Sequence, residues 1–225
     1  MILYEDQKVI VCHKPAGLAV ESAGVGQMDL VSKLKNYLHG SYLGVVHRLD
    51  QPVEGLLVFA KNPATAAELS AQLQKEILNK RYLAAVYGTP EKSAATLVDY
   101  LCKDNRLRVS KTVPEGTPGA KKAVLSYETA DTVTLNDNSV ITLLRVTIET
   151  GRFHQIRAQL AHMGCPILGD QKYGNSKAMA LSHDLGIRYP ALCADSLSFY
   201  SSGKKREFHI KPENKAFSYF REMIE

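Results

Sequence analysis

The sequence predicts an α+β domain built on a mixed central sheet, with strands following one another more often than alternating strictly with helices. Three observations predict it. Short apolar runs of strand type recur along the whole chain, several of them as neighbours. Only a few segments carry a helical repeat with a start or stop signal. Neither an internal repeat nor a long linker divides the 225 residues, which fit one domain, 1–225.

The elements follow in order. Lys8 to His13 reads as a strand, broken by Pro15 and Gly17. Leu30, Leu34 and Leu38 recur every fourth residue, a helical repeat with Gly40 as its stop. "VVHRLDQPVEGLLVFAK" is strand, polar loop, strand. Asn62 before Pro63 makes an N-cap and first-turn pair, and Leu69, Leu73 and Ile77 form one apolar stripe on the helix that follows. "RYLAAVYG" returns to strand, ending at Gly88. "TLVDYL" and "KKAVLSYETA" are strands around a basic segment, Cys102 to Lys122, and "SVITLLRVTIET" is a further strand. "GRFHQIRAQLAHMG" reads as a helix bounded by glycines, with Ile156, Leu160 and Met163 toward the core. "LSFYS" and "REFHI" are strands, and a helix is expected from Asn214.

Apolar residues make up 45% and charged residues 23% of the chain, enough for a core of ordinary size. The net charge of +5 is a mild lean toward polyanions, short of a nucleic-acid signature by itself. Cys12, Cys102, Cys165 and Cys193 lie far apart with no C-x-x-C pair, which argues against a zinc site and a disulfide framework. The start, "MILYEDQKVIVCHKPAG", has early acidic residues and no uninterrupted apolar stretch of the signal-peptide kind. No apolar run nears the roughly 18 residues of a membrane helix. A cytoplasmic protein is expected.

Two clusters could carry chemistry. In the first, His47, Arg48, Asp50 and Glu54 crowd a short loop between core strands. A lone loop aspartate is usually a turn residue, a lone histidine usually a satisfied core group, and a lone arginine usually a rim charge. Packed together between core strands, such groups are costly unless paired, so a site is the better explanation. In the second, Arg152, His154 and Arg157 stand at a helix start, where the macrodipole favours negative charge. An offsetting anion is implied: a buried carboxylate, a phosphate, or both. The basic segment with Lys103, Arg106, Arg108, Lys111, Lys121 and Lys122 reads by default as a solvated hairpin, and more sharply as a finger that grips phosphates. Asp50 with Glu54 would also permit a two-carboxylate glycosidase. No nucleophile elbow, Walker or dinucleotide fingerprint is present.

"HRLDQPVEGLLVFAK" resembles the signature of RluA-type pseudouridine synthases, H-R-L-D-x-x-T-S-G-L-L followed by an apolar run and Ala-Lys. "YEDQKVIVCHKPAGLAV" resembles the family's opening strand with its Lys-Pro-x-Gly turn, and "KEILNKRYLAAVYG" its K-x-Y-x-A-x-V-x-G segment. "ETGRFHQIRAQLAHMGCPILGDQKYG" resembles T-G-R-x-H-Q-I-R-x-H-x-x-x-x-G-x-P-I-x-G-D-x-x-Y-G, and "LCADSLSF" the late L-H-A-x-x-L-x-F stretch. The ordered motifs span nearly the whole chain.

The resemblance implies the pseudouridine synthase catalytic fold, with a mostly antiparallel sheet and flanking helices. It implies isomerisation of uridine to pseudouridine in structured RNA, rRNA or tRNA, with neither cofactor nor metal; a monomer is expected. Asp50 becomes the catalytic carboxylate, as nucleophile on the sugar or base at C2′. Arg157 becomes the arginine paired with it, Tyr82 the tyrosine that stacks on the base and assists proton removal at C5, and Arg48 the side chain that enters the RNA stack. His47, Arg152, His154, Lys121 and Lys122 are further candidates for RNA contact, with a structural anchor preferred for His47. Extruding a base needs an aromatic platform and a group to fill the vacancy, which suits these residue types.

Three departures stand out. Val53-Glu54 replaces the usual Thr-Ser, removing two hydroxyls and adding a charge able to alter the loop's hydrogen bonds or repel a phosphate. Phe153 replaces a frequent Thr or Ser, and Cys193 a frequent His. The chain starts at the catalytic opening strand, so no N-terminal S4 module is expected. The alternative from another class is a non-catalytic RNA-binding or RNA-folding protein on the same scaffold, for which Glu54 is the best support.

Overall fold

The computed structural model describes residues 1–22 and 28–220. In chain order the elements are β1 (Ile2–Glu5), β2 (Val9–Lys14), α1 (Leu30–Tyr37), β3 (Gly44–Val45), β4 (Glu54–Ala60) and α2 (Pro63–Gln74). There follow β5 (Asn79–Tyr87), β6 (Ala94–Asp104), β7 (Val109–Val113), β8 (Lys121–Thr134) and β9 (Val140–Ile148). The last are α3 (Gln155–His162), α4 (Ser176–Asp184), β10 (Leu192–Ser201), β11 (Lys204–His209) and a 3₁₀ turn, Lys215–Tyr219, where a helix was expected. The α+β class and the mixed, mostly antiparallel sheet both hold. The chain divides into two compact units, Met1–Lys80 with Cys193–Pro212, and Arg81–Leu192 with the segment from Glu213.

In the first unit β4 is the centre. Every residue of it is buried, which is why it reads as a continuous apolar run rather than an alternation. β2 pairs with it antiparallel from Val9↔Ala60 to Lys14↔Gly55, β3 touches its far end, and β10 runs parallel through Cys193↔Glu54 and Ala194↔Gly55. β1 and β11 complete the sheet on β2 and β10. Val9, Val11, Leu56, Val58, Leu69, Leu197 and Phe199 form the core beneath it. Gly55 has φ +139°, and a Cβ there would sit 2.5 Å from Ala194 N, so only glycine lets β10 close on β4 directly after the Asp50 loop.

The helices of this unit are set by their caps. Asp29 accepts from Ser32 N at 2.7 Å to start α1, and Asn62 accepts from Thr65 N at 2.8 Å to start α2. One expectation fails. Leu69 is buried, but Leu73 and Ile77 are 36% and 41% exposed, and Ile77 lies beyond the helix end. The buried face of α2 is Thr65, Leu69 and Gln72, whose amide bridges Tyr200 N and O at 2.7 and 2.8 Å. A polar residue that satisfies a strand backbone displaced the leucine stripe.

The second unit is an antiparallel sheet in the order β5-β9-β8-β6-β7. The basic segment is therefore a hairpin, as expected, with β7 folded back on the end of β6. α3 is shorter than the glycine boundaries suggest. His154 takes a left-handed conformation, φ +52°, which ends the helix on its N-terminal side, and the Gln155 side chain accepts from Arg152 N at 2.9 Å. Residues Gln155 to Leu160 are all buried, so the helix is enclosed rather than amphipathic, and Met163 is a half-buried cap outside the core. Ala158 packs on Leu101 and Ala123, with Tyr173 beside them. α4 has no counterpart in the sequence reading. No helix among the described residues is long and apolar enough to cross a membrane, and all four cysteines are free thiols.

Candidate active site

The Asp50 loop belongs to the first unit and is locked from below. His47 is 7% exposed, and its Nε2 accepts from Val58 N at 3.2 Å, fastening the start of the loop to β4. Burial, then the charge of Lys80, pushes its pKa well below the ordinary range, so the ring is neutral. This is the place of an anchor, turned inward, rather than of a phosphate ligand. Leu49 is buried, Asp50 is half-buried, and Val53 N donates to Asp50 O at 3.0 Å to close the turn.

Lys14 is the residue whose part the sequence reading missed. Its side chain is fully buried, and Nζ donates to Pro15 O at 3.1 Å, Leu18 O at 2.8 Å and Gln51 O at 3.0 Å. An ammonium has three donors, and here each has a carbonyl. Gly17 N also donates to Gln51 O at 2.9 Å, and Gln51 Nε2 to Gly17 O at 3.1 Å. The Lys-Pro-x-Gly turn is thus bolted to the residue after Asp50. Burial lowers the Lys14 pKa to about 8, against the nearby charges of Asp50 and Glu54, which raise it. The signal available in the sequence was a lysine closing an apolar strand just before Pro15.

Two other loop residues differ in their surroundings. Arg48 is 68% exposed, with its guanidinium 2.5 Å from Glu21 Oε2. Glu54, expected either to alter the loop's hydrogen bonds or to repel a phosphate, is the first residue of β4, 2% exposed, with Oε2 3.9 Å from His13 Nε2. The substitution therefore alters the interior beneath the loop, not its surface. The burial of Glu54 argues against a two-carboxylate glycosidase.

The remaining candidates lie in the second unit. Tyr82, in β5 opposite Val146, is 5% exposed. Arg157, in the first turn of α3, is 3% exposed and forms a two-pronged pair with Asp170, Nε to Oδ2 at 2.7 Å and Nη2 to Oδ1 at 2.8 Å. Asp170 is thus a buried carboxylate of the kind the helix start called for. It also accepts from Lys172 N at 3.0 Å and Tyr173 N at 3.2 Å. Its position depends on Gly169, φ +76°, where a Cβ would meet Tyr189 O at 2.1 Å. The Tyr173 ring lies 5.1 Å from the Arg157 guanidinium carbon.

Around this pair stand the proposed RNA contacts. His154 is buried, its Nδ1 2.9 Å from Tyr173 Oη, with Phe153 stacked on its ring at 3.8 Å. Lys103 Nζ covers the Phe153 ring at 4.8 Å, so the departure at 153 builds an aromatic–cation stack. Arg152 is exposed and its Nε donates to Lys122 O at 2.9 Å, while Lys121 and Lys122 open β8 with exposed side chains.

The clamped Asp50 loop thus lies in one unit and the buried carboxylate–guanidinium pair in the other. The family described as RNA pseudouridylate synthase matches residues 8–162, and the chain belongs to it. The chain is 34% identical over 225 residues to Ribosomal large subunit pseudouridine synthase C of Rickettsia prowazekii, covering 99% of this chain and 70% of that protein. It is 34% identical over 220 residues to Ribosomal large subunit pseudouridine synthase D of Zymomonas mobilis, covering 92% and 67%. Human RNA Pseudouridylate Synthase Domain Containing 4 superposes with a TM-score of 0.74 at 25% identity, over 94% of this chain and 88% of that one. Human RNA Pseudouridylate Synthase Domain Containing 1 gives a TM-score of 0.77 at 20% identity, over 94% and 82%, a likeness of fold. The protein is an RNA-modifying isomerase, and the non-catalytic reading falls with that.

Proposed function

We propose that the chain isomerises a uridine of large-subunit ribosomal RNA, with Asp50 as the catalytic carboxylate. The N1–C1′ bond breaks, the uracil turns, and C5 bonds to C1′; N1 gains a proton and C5 loses one. Asp50 acts on the sugar, Tyr82 carries the base and assists removal of the C5 proton, and Arg157 holds the carboxylate ionised and oriented. Arg48 fills the vacancy left in the RNA, while Arg152, Lys121, Lys122 and the hairpin bear on phosphates. The enzyme works as a cytoplasmic monomer, as a single catalytic domain and without metal.

The observation that carries this reading is the Asp50 loop. Two buried bases, the neutral His47 ring and the Lys14 ammonium, hold its two ends, while Asp50 itself is left half-buried between them. A turn with no task would not need such a frame. The ribosomal target is supported by the names of the relatives at 34% identity.

The test is pseudouridine mapping of RNA from a deletion strain, complemented with wild type or Asp50→Ala. Wild type should restore one or more large-subunit sites and Asp50→Ala none. Restoration of the same sites by both would remove Asp50 from the chemistry.

A further inference from the structure

We propose that Tyr173 is a positioning residue that joins the basic β6–β7 hairpin to Arg157, so that RNA held by the hairpin bears on the geometry of the arginine. The proposal rests on the reading of Arg157 given above.

Four residues, Ser110, His154, Arg157 and Asp170, meet at Tyr173. Its hydroxyl accepts from Ser110 N, in β7, at 2.6 Å. The same oxygen lies 2.9 Å from His154 Nδ1, at the left-handed residue that starts α3. Its ring lies edge-on to His154 and 5.1 Å from the Arg157 guanidinium carbon. Its backbone N donates to Asp170, the carboxylate that grips Arg157. Other bonds act in parallel on the hairpin: Ser110 Oγ donates to Phe153 O, and Lys172 Nζ to Arg108 O at 2.9 Å.

The hairpin is shaped to receive an anion. Asp104 accepts from Arg106 N and Leu107 N at 3.0 Å each, and pairs with Lys111 at 2.9 Å, which fixes the tip. Arg106 and Arg108 are exposed on either side of Leu107, which is 56% exposed. A rigid tip with two free-standing cations transmits force to its base, and at its base one acceptor for the β7 backbone is a tyrosine packed on Arg157. The hydroxyl serves the hairpin and His154, and the ring packs on the arginine, so the hydroxyl and ring contributions can be separated by substitution.

The experiment is steady-state kinetics on a large-subunit rRNA transcript that wild type modifies, with Tyr173→Phe and Tyr173→Leu. Tyr173→Phe keeps the ring and strands Ser110 N, so KM should rise about 5- to 10-fold with kcat within about 2-fold. With the hairpin loosened, the slope of log KM against log salt should become shallower by about one phosphate contact. Tyr173→Leu also removes the ring beside Arg157, and kcat should fall about 10-fold. A merely structural tyrosine would lower Tm and leave the salt slope unchanged. If Tyr173→Leu does not fold, Tyr173→Phe still decides. Wild-type KM and salt slope in a folded Tyr173→Phe protein would overturn the proposal. Arg157→Lys separates the two readings: if it turns over normally, the assignment of Arg157 fails, whatever Tyr173 does.

Discussion

The loop that carries Asp50 and the helix start that carries Arg157 are both immobilised, by opposite means. The loop is held by buried bases that spend their hydrogen bonds on backbone: Lys14 on three carbonyls, His47 on one amide. The helix start is held by side chain against side chain, an arginine in the prongs of a buried aspartate. The backbone partners fix the chain on both sides of Asp50, before it where His47 meets Val58 and after it where Gln51 meets Lys14, thirty-seven residues away. The side-chain partner stands thirteen residues away and neutralises charge inside the fold.

This contrast orders what substitutions should do. The largest loss is expected for Asp170→Ala, which leaves Arg157 buried without that counter-charge and should cost about 4 kcal/mol of stability, read by urea denaturation. If Arg157→Met combined with Asp170→Leu is as stable as wild type, the pair serves orientation and not folding. Next is Lys14→Met, which strands the Pro15 and Leu18 carbonyls and leaves Gln51 O only its bond from Gly17 N; it should cost about 2–3 kcal/mol with a larger drop in kcat than in Tm would suggest.

The pH dependence of the same lysine runs in two directions. Folded Lys14 loses its proton near pH 8 and the unfolded residue near 10.5, so the unfolded state holds the extra proton between them. Stability from this group should rise across that interval while turnover falls above pH 8, because a neutral amine has two donors for three carbonyls. A turnover profile flat through pH 8 to 9 would show the clamp to be indifferent to charge.

The smallest effect belongs to His47. Its folded pKa lies well below the ordinary 6.5, so below pH 6.5 only the unfolded state takes the proton. Wild type should then lose up to about 1.4 kcal/mol per pH unit on acidification. His47→Gln, which keeps an acceptor for Val58 N, should lack that slope. Equal slopes in the two proteins would mean that the ring is not held neutral.

The same contrast explains what could be read in advance. The β4 run, the Asn62 cap, the basic hairpin and the crowded loop are local, and patterns within about ten residues exposed them. Asp170 stands thirteen residues beyond Arg157 across a turn, and nothing in spacing says that the two meet; only the burial of a charged helix start hinted at such a group. Lys14 was visible as part of a turn, yet its three acceptors are set by how the chain folds back. α4 escaped because its buried face is Ala178, Leu181 and Ser182, too small and too polar to make an apolar stripe. Leu73 and Ile77 misled for the opposite reason, being apolar at helical spacing on a face that Gln72 had already claimed.

The contact between Arg48 and Glu21 has a consequence for how any polyanion approaches. The guanidinium is already occupied, so recruiting it is an exchange of one anion for another and not a capture from water. Exposed pairs of this kind are worth about 1 kcal/mol or less, which makes the exchange shallow in free energy. On the role proposed for Arg48, Glu21 would then act as a toll on loose contacts, trivial for a ligand that offers several phosphates at once and discouraging for one that offers a single charge.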